Sequence, residues 1–203
     1  MRWLSLILGL VLCCAGGIFA AIESFKQPSY AINEQLNAGH TVGKTYLLQE
    51  IEQQKELAAW GWKDADLLKS VALTEYALAN NNLSDASVAL LHTASDHLSE
   101  GLALSPVDSI GWLRLAHLRV LTKASPEDIG QALHMSLITG PTITPLIASR
   151  LRIALVYWDY LKEDDRTLFM TQIRLLKQWK PQEAATLADM NERNQQLFSI
   201  PTY

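Results

Sequence analysis

The chain has 203 residues, of which 49% are hydrophobic and 19% are charged, and its formal net charge is −4. This apolar content is enough to build a core and excludes an intrinsically disordered chain. The acidic balance, with no run of Lys and Arg, argues against nucleic acid as a partner.

The first segment, residues 1–22, is apolar. After Arg2 the sequence "WLSLILGLVLCCAGGIFAAI" carries no charge until Glu23, and about 20 apolar residues span a bilayer as a helix. The segment therefore predicts a single transmembrane anchor, with a cleavable export signal as the alternative. Because the positive charge precedes the segment, we expect the body of the chain outside the cytoplasm.

Residues 23–43 are mixed in composition and predict a juxtamembrane linker. At its end, "AGHTVGKT" (Ala38–Thr45) matches the loose pattern of a phosphate-binding loop. That loop needs a buried strand before it, and the preceding "PSYAINEQLN" is not one. We therefore expect no nucleotide and no other cofactor, and we expect Thr41 or Thr45 to cap the next helix.

From residue 44 to the end, apolar residues recur at helical spacing and no strand pattern is present. Helix-breaking signals separate the segments: Gly61, Asn80–Asn82, Ser105–Pro106, Lys123–Asp128, Gly140–Pro141, Lys162–Asp165 and Lys180–Pro181. Ser125 followed by Pro126 is a typical helix start. The last segment, "PQEAATLADMNERNQQLF", predicts one polar C-terminal capping helix. Residues 44–203 thus predict one all-α domain.

A repeat of helix pairs is indicated by the prolines that close helices. Pro106 and Pro141 are 35 residues apart, and Pro141 and Pro181 are 40 apart. Over about residues 64–180 the sequence resembles the tetratricopeptide repeat family, whose motif has about 34 residues. Residues that match its apolar or small positions are Leu113, Ala116, Val120, Leu133, Ser136, Ile153, Val156, Tyr160, Phe169, Ile173 and Leu176.

The resemblance is divergent at particular positions. His117 stands where the family usually has Gly or Ala, and Asn81 falls at an apolar site. The resemblance implies stacked helical hairpins whose first helices line a concave surface that holds extended peptides or partner domains. The alternative fold is an irregular helical bundle.

A second resemblance concerns three segments, "ALHMSLITGP", "SRLRIALVYW" and "RTLFMTQIRLLKQW". They are similar to VpsP-type accessory proteins of bacterial exopolysaccharide synthesis, which share an N-terminal apolar segment and a helical body. This resemblance implies a pathway rather than a mechanism. With the predicted anchor, it implies a single-pass protein of the bacterial inner membrane with a periplasmic C-terminal domain.

No set of residues in the sequence marks a catalytic or metal site. His92 and His97 are five residues apart, which directs their rings to different sides of a helix, so we expect a solvated face. The acidic residues Glu163–Asp165 suit the positive end of a helix. We therefore expect a protein that is not an enzyme, with a glycan-acting enzyme as a minor alternative.

Two groups of residues are candidates for partner binding. Trp60 and Trp62 flank Gly61, and aromatic side chains often anchor interfaces. Arg114, Arg150 and Arg152 fall on helices that would line the concave surface, where they could engage an acidic partner or a glycan. We expect an extracytoplasmic, membrane-anchored adaptor that binds protein partners of the envelope. A structural accessory subunit of a larger membrane complex is the alternative.

Overall fold

A computed structural model describes residues 2–38, 40–59, 64–80 and 85–200. Within these ranges the chain is helical and contains no β-strand, which confirms the prediction of an all-α fold. The helices are α1 (Arg2–Asn37), α2 (Lys44–Ala59), α3 (Ala65–Asn80), α4 (Asp85–Leu104), α5 (Ser109–Leu121), α6 (Pro126–Thr139), α7 (Thr144–Val156), a 3-10 turn (Trp158–Tyr160), α8 (Glu163–Trp179), α9 (Pro181–Ala188) and α10 (Glu192–Ser199). The chain divides into two compact units, residues 1–101 and residues 102–203.

The core of unit 1 begins before residue 44. Ile32 and Leu36, one helical turn apart near the end of α1, pack on a buried cluster that includes Leu47 of α2 and Leu78 of α3. The sequence assigned residues 23–43 to a linker, but the structure is helical as far as Asn37. The spacing of Ile32 and Leu36 explains the difference, because it gives the end of α1 an apolar stripe.

A buried polar network joins the first three helices of unit 1. The side-chain amide of Asn33 donates to Ser70 Oγ over 2.6 Å. The amide of Gln54 donates to the same hydroxyl at 3.2 Å and to Glu50 Oε1 at 2.5 Å. Because buried polar groups need hydrogen-bond partners, this network favours one register of α1 and α2 on α3.

The N-terminal half of α1 exposes large apolar side chains, among them Leu10, Leu12 and Phe19. Among the residues that the structure describes, however, no helix reaches both the length and the hydropathy that crossing a membrane requires. The transmembrane anchor predicted for residues 1–22 is therefore not supported by the structure.

Several helices of unit 2 begin at residues that cap or complement the helix start, and the sequence predicted some of these residues. Asp128 N–H donates to Ser125 Oγ at 3.1 Å, so Ser125 caps α6, and Pro126 occupies the first turn. Asp108 caps α5 by accepting the Gly111 N–H over 2.8 Å. The acidic residues at 163–165 lie in the first turn of α8. The helices α5 and α6 pack on each other, and α7 packs on α8.

The C-terminal helix that the sequence predicts as one element is divided in two. Asn191 interrupts it, because its side chain accepts the N–H of Asn194 over 2.9 Å and starts α10. The buried Asn194 amide then donates to the carbonyl of Leu187 at the end of α9, also at 2.9 Å. These two bonds stabilise the turn between α9 and α10.

Candidate functional site

The candidate site is a groove in unit 2 between α5 and α7, the first helices of the hairpins α5–α6 and α7–α8. It encloses about 310 Å³. Its lining residues are Leu113, Arg114, His117, Ser149, Arg152 and Ile153. Leu113 and Ile153 give it apolar walls, and the other four side chains can all donate hydrogen bonds. We call this feature the α5–α7 groove.

The groups on α5 that line the groove are partly removed from water. Burial lowers the pKa of Arg114, and the carboxylate of Asp108 opposes this effect. Burial also lowers the pKa of His117 below its ordinary value of 6.5, so this ring is mainly neutral at pH 7. An anion that enters the groove therefore meets a guanidinium whose charge is less screened than it would be in water.

Arg152 of α7 is the second cationic residue of the groove, and it forms an ion pair with a carboxylate. Its Nη2 lies 2.7 Å from Glu183 Oε1 of α9. The other oxygen of Glu183 lies 3.3 Å from Lys180 Nζ. The Arg152 side chain is 54% exposed, and an ion pair at such a site contributes little stability.

Arg150 does not lie in the groove, which corrects the sequence prediction. Its side chain is fully buried, with a relative exposure of 0%. Nε donates to Ser136 Oγ at 2.9 Å, and Nη2 contacts the carbonyls of Ser136 and Gly140 at 2.7 and 2.9 Å and also Ser109 Oγ. Because its donors are turned into the core, Arg150 cannot reach a partner in this structure.

The contacts of Arg150 give it a structural role instead. Both carbonyls belong to the C-terminal end of α6, where unpaired carbonyls and the helix dipole favour a cation. The two serines also bond each other, since each hydroxyl donates to the other's carbonyl at 2.8 Å. Burial lowers the pKa of Arg150 to about 10, so it stays charged at neutral pH. One cation thus joins the start of α5, the end of α6 and α7.

Trp60 and Trp62 lie outside the described residues, so their part in partner binding stays a prediction. The sequence did not predict that Ser149, one turn before Arg152 on α7, also lines the groove. It did not predict either that Glu183 of α9 pairs with Arg152. The only sequence signal was weak, since "SRLR" places Ser149 three residues before Arg152 on the same helix face.

Two histidines outside the groove, His97 and His134, each contact a carboxylate of another helix. His97 Nδ1 lies 2.9 Å from Glu75 Oε2 in unit 1, and His134 Nδ1 lies 2.5 Å from Asp165 Oδ1 in unit 2. The hydrogen bond to Glu75 raises the pKa of His97, against the opposing effect of burial. Among the described residues, no three His, Cys, Asp or Glu side chains converge as metal ligands.

The segment before α2 begins differently from the strand that a phosphate-binding loop requires. The carbonyl of Gly43 accepts the N–H groups of Tyr46 and Leu47 at 3.0 and 3.2 Å, and α2 begins at Lys44. Residues 40–43, which precede it, form no strand. Gly43 thus stands directly before the first turn of α2, and the capping role expected for Thr41 or Thr45 stays a prediction.

Comparison with known proteins gives one solved structure and no sequence relative. No family model matches the chain, and no curated protein matches it. The chain is similar to the crystal structure of a thermophilic tetratricopeptide repeat protein from Thermus thermophilus. The identity is 15%, the TM-score is 0.54, and the similarity covers 94% of this chain and 95% of the other. The chain therefore has an all-α fold of the tetratricopeptide-repeat type.

Proposed function

We propose that the protein is a non-enzymatic adaptor that binds an anionic segment of a protein partner in the α5–α7 groove. The observation that carries this proposal is the lining of the groove, in which Arg114 and Arg152 face one cavity between apolar walls. Guanidinium groups bind carboxylates and phosphates through paired hydrogen bonds. A helical-repeat fold of this type typically presents such surfaces to partner proteins.

The exposed residues near the groove favour a peptide segment over a small molecule. Ile110 and Leu121 lie at the two ends of α5, on the same helix face as Arg114 and His117, and are 45% and 40% exposed. Val156, in the last turn of α7, is 65% exposed. The cationic centre is thus flanked by apolar side chains. A segment with one anionic side chain between apolar neighbours would match this order.

Neutralisation of the groove is expected to weaken partner binding. A photo-crosslinking amino acid at Ser149 should yield a covalent adduct with the partner in intact cells. Replacing both Arg114 and Arg152 by Gln removes two charge-assisted contacts and should weaken binding about tenfold or more. The measurement is the adduct yield, with the captured protein identified by mass spectrometry.

The matched control is Arg174→Gln, which removes one charge from an exposed position on α8 outside the groove lining. It should leave the adduct unchanged. A crosslinker at Gln131, which is exposed on α6, should not yield the same adduct. Equal adduct yields from the wild type and the double Gln variant would contradict the proposal.

We further propose that the adaptor works at the bacterial inner membrane, with residues 1–22 as its anchor and the helical body in the periplasm. Support comes from the uncharged run after Arg2, and a role in exopolysaccharide synthesis rests only on the resemblance to VpsP-type proteins that the sequence suggests. The full chain should stay in the membrane fraction after alkaline extraction, and a variant without residues 2–22 should be released. A full chain found in the soluble fraction would disprove the anchor.

A further inference from the structure

We propose that the contact between His97 of α4 and Glu75 of α3 is a pH-sensitive latch in unit 1. It holds the two helices together when the His97 ring is protonated, and their packing loosens when the ring loses its proton. Three features of unit 1 carry this role: the position of the pair between two helices, the burial of the carboxylate, and an apolar cavity beside it. None of these features belongs to the α5–α7 groove.

The pair joins two helices that also approach each other closely elsewhere. His97 Nδ1 lies 2.9 Å from Glu75 Oε2. One turn further along α4, Gly101 packs on the start of α3, where an added Cβ would lie 3.1 Å from the carbonyl oxygen of Ala65 and 3.1 Å from Leu68 Cβ. Gly101 thus holds α4 on the beginning of α3, and His97 holds it on a later part of the same helix.

The carboxylate of the pair is buried, whereas the ring reaches solvent. Glu75 has a relative exposure of 6%, and the His97 side chain is 37% exposed. A buried carboxylate loses most of its hydration, so donors of the protein must replace the water. The imidazolium form of His97 is a charged donor, and the neutral ring is a weaker one. Loss of the proton to solvent therefore weakens the link between α3 and α4.

A cavity of about 90 Å³ lies beside the pair. Glu75 and His97 line it, together with apolar side chains that include Ile51 of α2 and Leu67 and Val71 of α3. Apolar walls keep water from this side of the pair, so the attraction between the carboxylate and a charged ring is stronger than it would be on an open surface. An interface beside a cavity is also less tightly packed than a filled core, so we expect it to open more easily.

The acidic groups around the pair favour the protonated ring. The hydrogen bond to Glu75 is the largest cause of the raised pKa of His97, and burial opposes it. The negative charges of Glu75 itself and of Glu100 and Asp96 on α4 raise this pKa further. Glu50 is a further buried acid on the neighbouring α2, and it belongs to the polar network that joins α1, α2 and α3.

Two lysines approach the same interface, and each lies near a carboxylate of its own helix. Lys55 of α2 lines the cavity, but its Nζ lies 2.7 Å from Glu52 Oε1 and its side chain is 66% exposed. Lys69 of α3 lies beside the end of α4, and its Nζ is 3.9 Å from Asp66 Oδ1. The charge of the His97 ring thus remains the one that changes near neutral pH at this interface, because lysine and carboxylate side chains ordinarily titrate far from it.

The raised pKa fixes the direction of the pH dependence. Because the pKa of His97 in the folded chain lies above the ordinary value of 6.5, the folded chain keeps a proton that the unfolded chain has already released. The stabilisation is therefore complete below about pH 6.5 and is lost as the pH rises through the raised pKa. The latch is closed in mildly acidic solution and loosened in mildly alkaline solution.

The test measures amide hydrogen exchange of the full-length protein, resolved over α3 and α4, from about pH 5.5 to about pH 8.5. Protection factors, which are corrected for the intrinsic effect of pH on exchange, should fall about threefold to tenfold over this range, since the charged donor gives the stronger hydrogen bond. In His97→Gln this decrease should disappear, because the amide can donate to Glu75 at every pH. The matched control His92→Gln, at an exposed position of the same helix, should keep it.

A second measurement does not depend on the stability of His97→Gln. The NMR titration of the His97 ring should have its midpoint above 6.5 in the wild type and a lower midpoint in Glu75→Gln, which removes the partner's charge and keeps its shape. Constant protection in the wild type, or an equal decrease in His97→Gln, would overturn the latch. A His97 midpoint that is the same in Glu75→Gln and in the wild type would overturn it as well.

Discussion

Replacement of Arg150 by Ala is expected to lower the free energy of unfolding of unit 2 by about 3 kcal/mol or more. The side chain is fully buried, so its loss leaves a cavity. It also leaves the carbonyl of Gly140 without the donor that now lies 2.9 Å away. Ser109 and Ser136 keep their mutual bonds, but the link from α7 to both of them is lost. Urea denaturation of the full chain, with hydrogen exchange resolved over residues 102–203, measures the change.

Two further variants separate the causes of that loss. Arg150→Met restores much of the volume without a donor, so it should recover part of the stability if the cavity dominates. Arg152→Ala removes an exposed Arg two residues away and should change stability by no more than about 0.5 kcal/mol. An Arg150→Ala protein as stable as Arg152→Ala would show that the buried cation is not needed to join the three helices.

The predictions that the structure confirms rest on local signals. Ser125 and Pro126 start α6, and the Gly140–Pro141 pair ends it, because caps and prolines act within one helical turn. Apolar spacing likewise indicated the helices from Ser109 to Trp179. The sequence failed at Asn191, where one polar side chain divides the last helix. An Asn is common on helix surfaces, and only the bond from the Asn194 N–H to Asn191 and the bond from the Asn194 amide to Leu187 mark this position as a turn.

The role of Arg150 could not be predicted, because its partners are distant in sequence. Ser109 is 41 residues away and Ser136 is 14 residues away. From the sequence alone, Arg150 and Arg152 are equivalent charged residues on one helix. In the structure the Arg152 side chain is 54% exposed, whereas Arg150 is fully buried. Ser109 and Ser136 are both fully or nearly buried. Their role as partners of Arg150 depends on how the helices pack, so the sequence alone does not indicate it.

Gly140→Ala is expected to destabilise unit 2 by about 1–3 kcal/mol through overpacking. The backbone of Gly140 is extended, with φ at −166°, so an alanine could adopt it without strain. The obstacle is space, since a Cβ would lie 2.7 Å from Ser109 Oγ and 2.5 Å from Ile143 Cδ1. The Ile143 side chain can rotate away. Ser109 cannot, because Arg150 and Ser136 hold its hydroxyl.

Gly130→Ala is the matched control, and its effect should have the opposite sign. Gly130 is buried within α6, and its added Cβ would meet Leu161 Cδ2 at an ordinary 3.7 Å. Alanine inside a helix is favoured over glycine by about 0.5–1 kcal/mol, so this variant should be more stable than the wild type in the same urea experiment. Destabilisation of both variants to the same extent would contradict the argument from space.

The cost of Gly140→Ala should also depend on Arg150. In the Arg150→Ala background Ser109 loses one of the groups that fix it, so it can move away from the new Cβ. The double variant should therefore be less destabilised than the sum of the single changes, by about 0.5–3 kcal/mol. Strict additivity would mean that Gly140 and Arg150 act independently. Coupling would show that the tight packing at Gly140 and the buried Arg150 guanidinium act together. Both would then hold α7 and α5 against the end of α6.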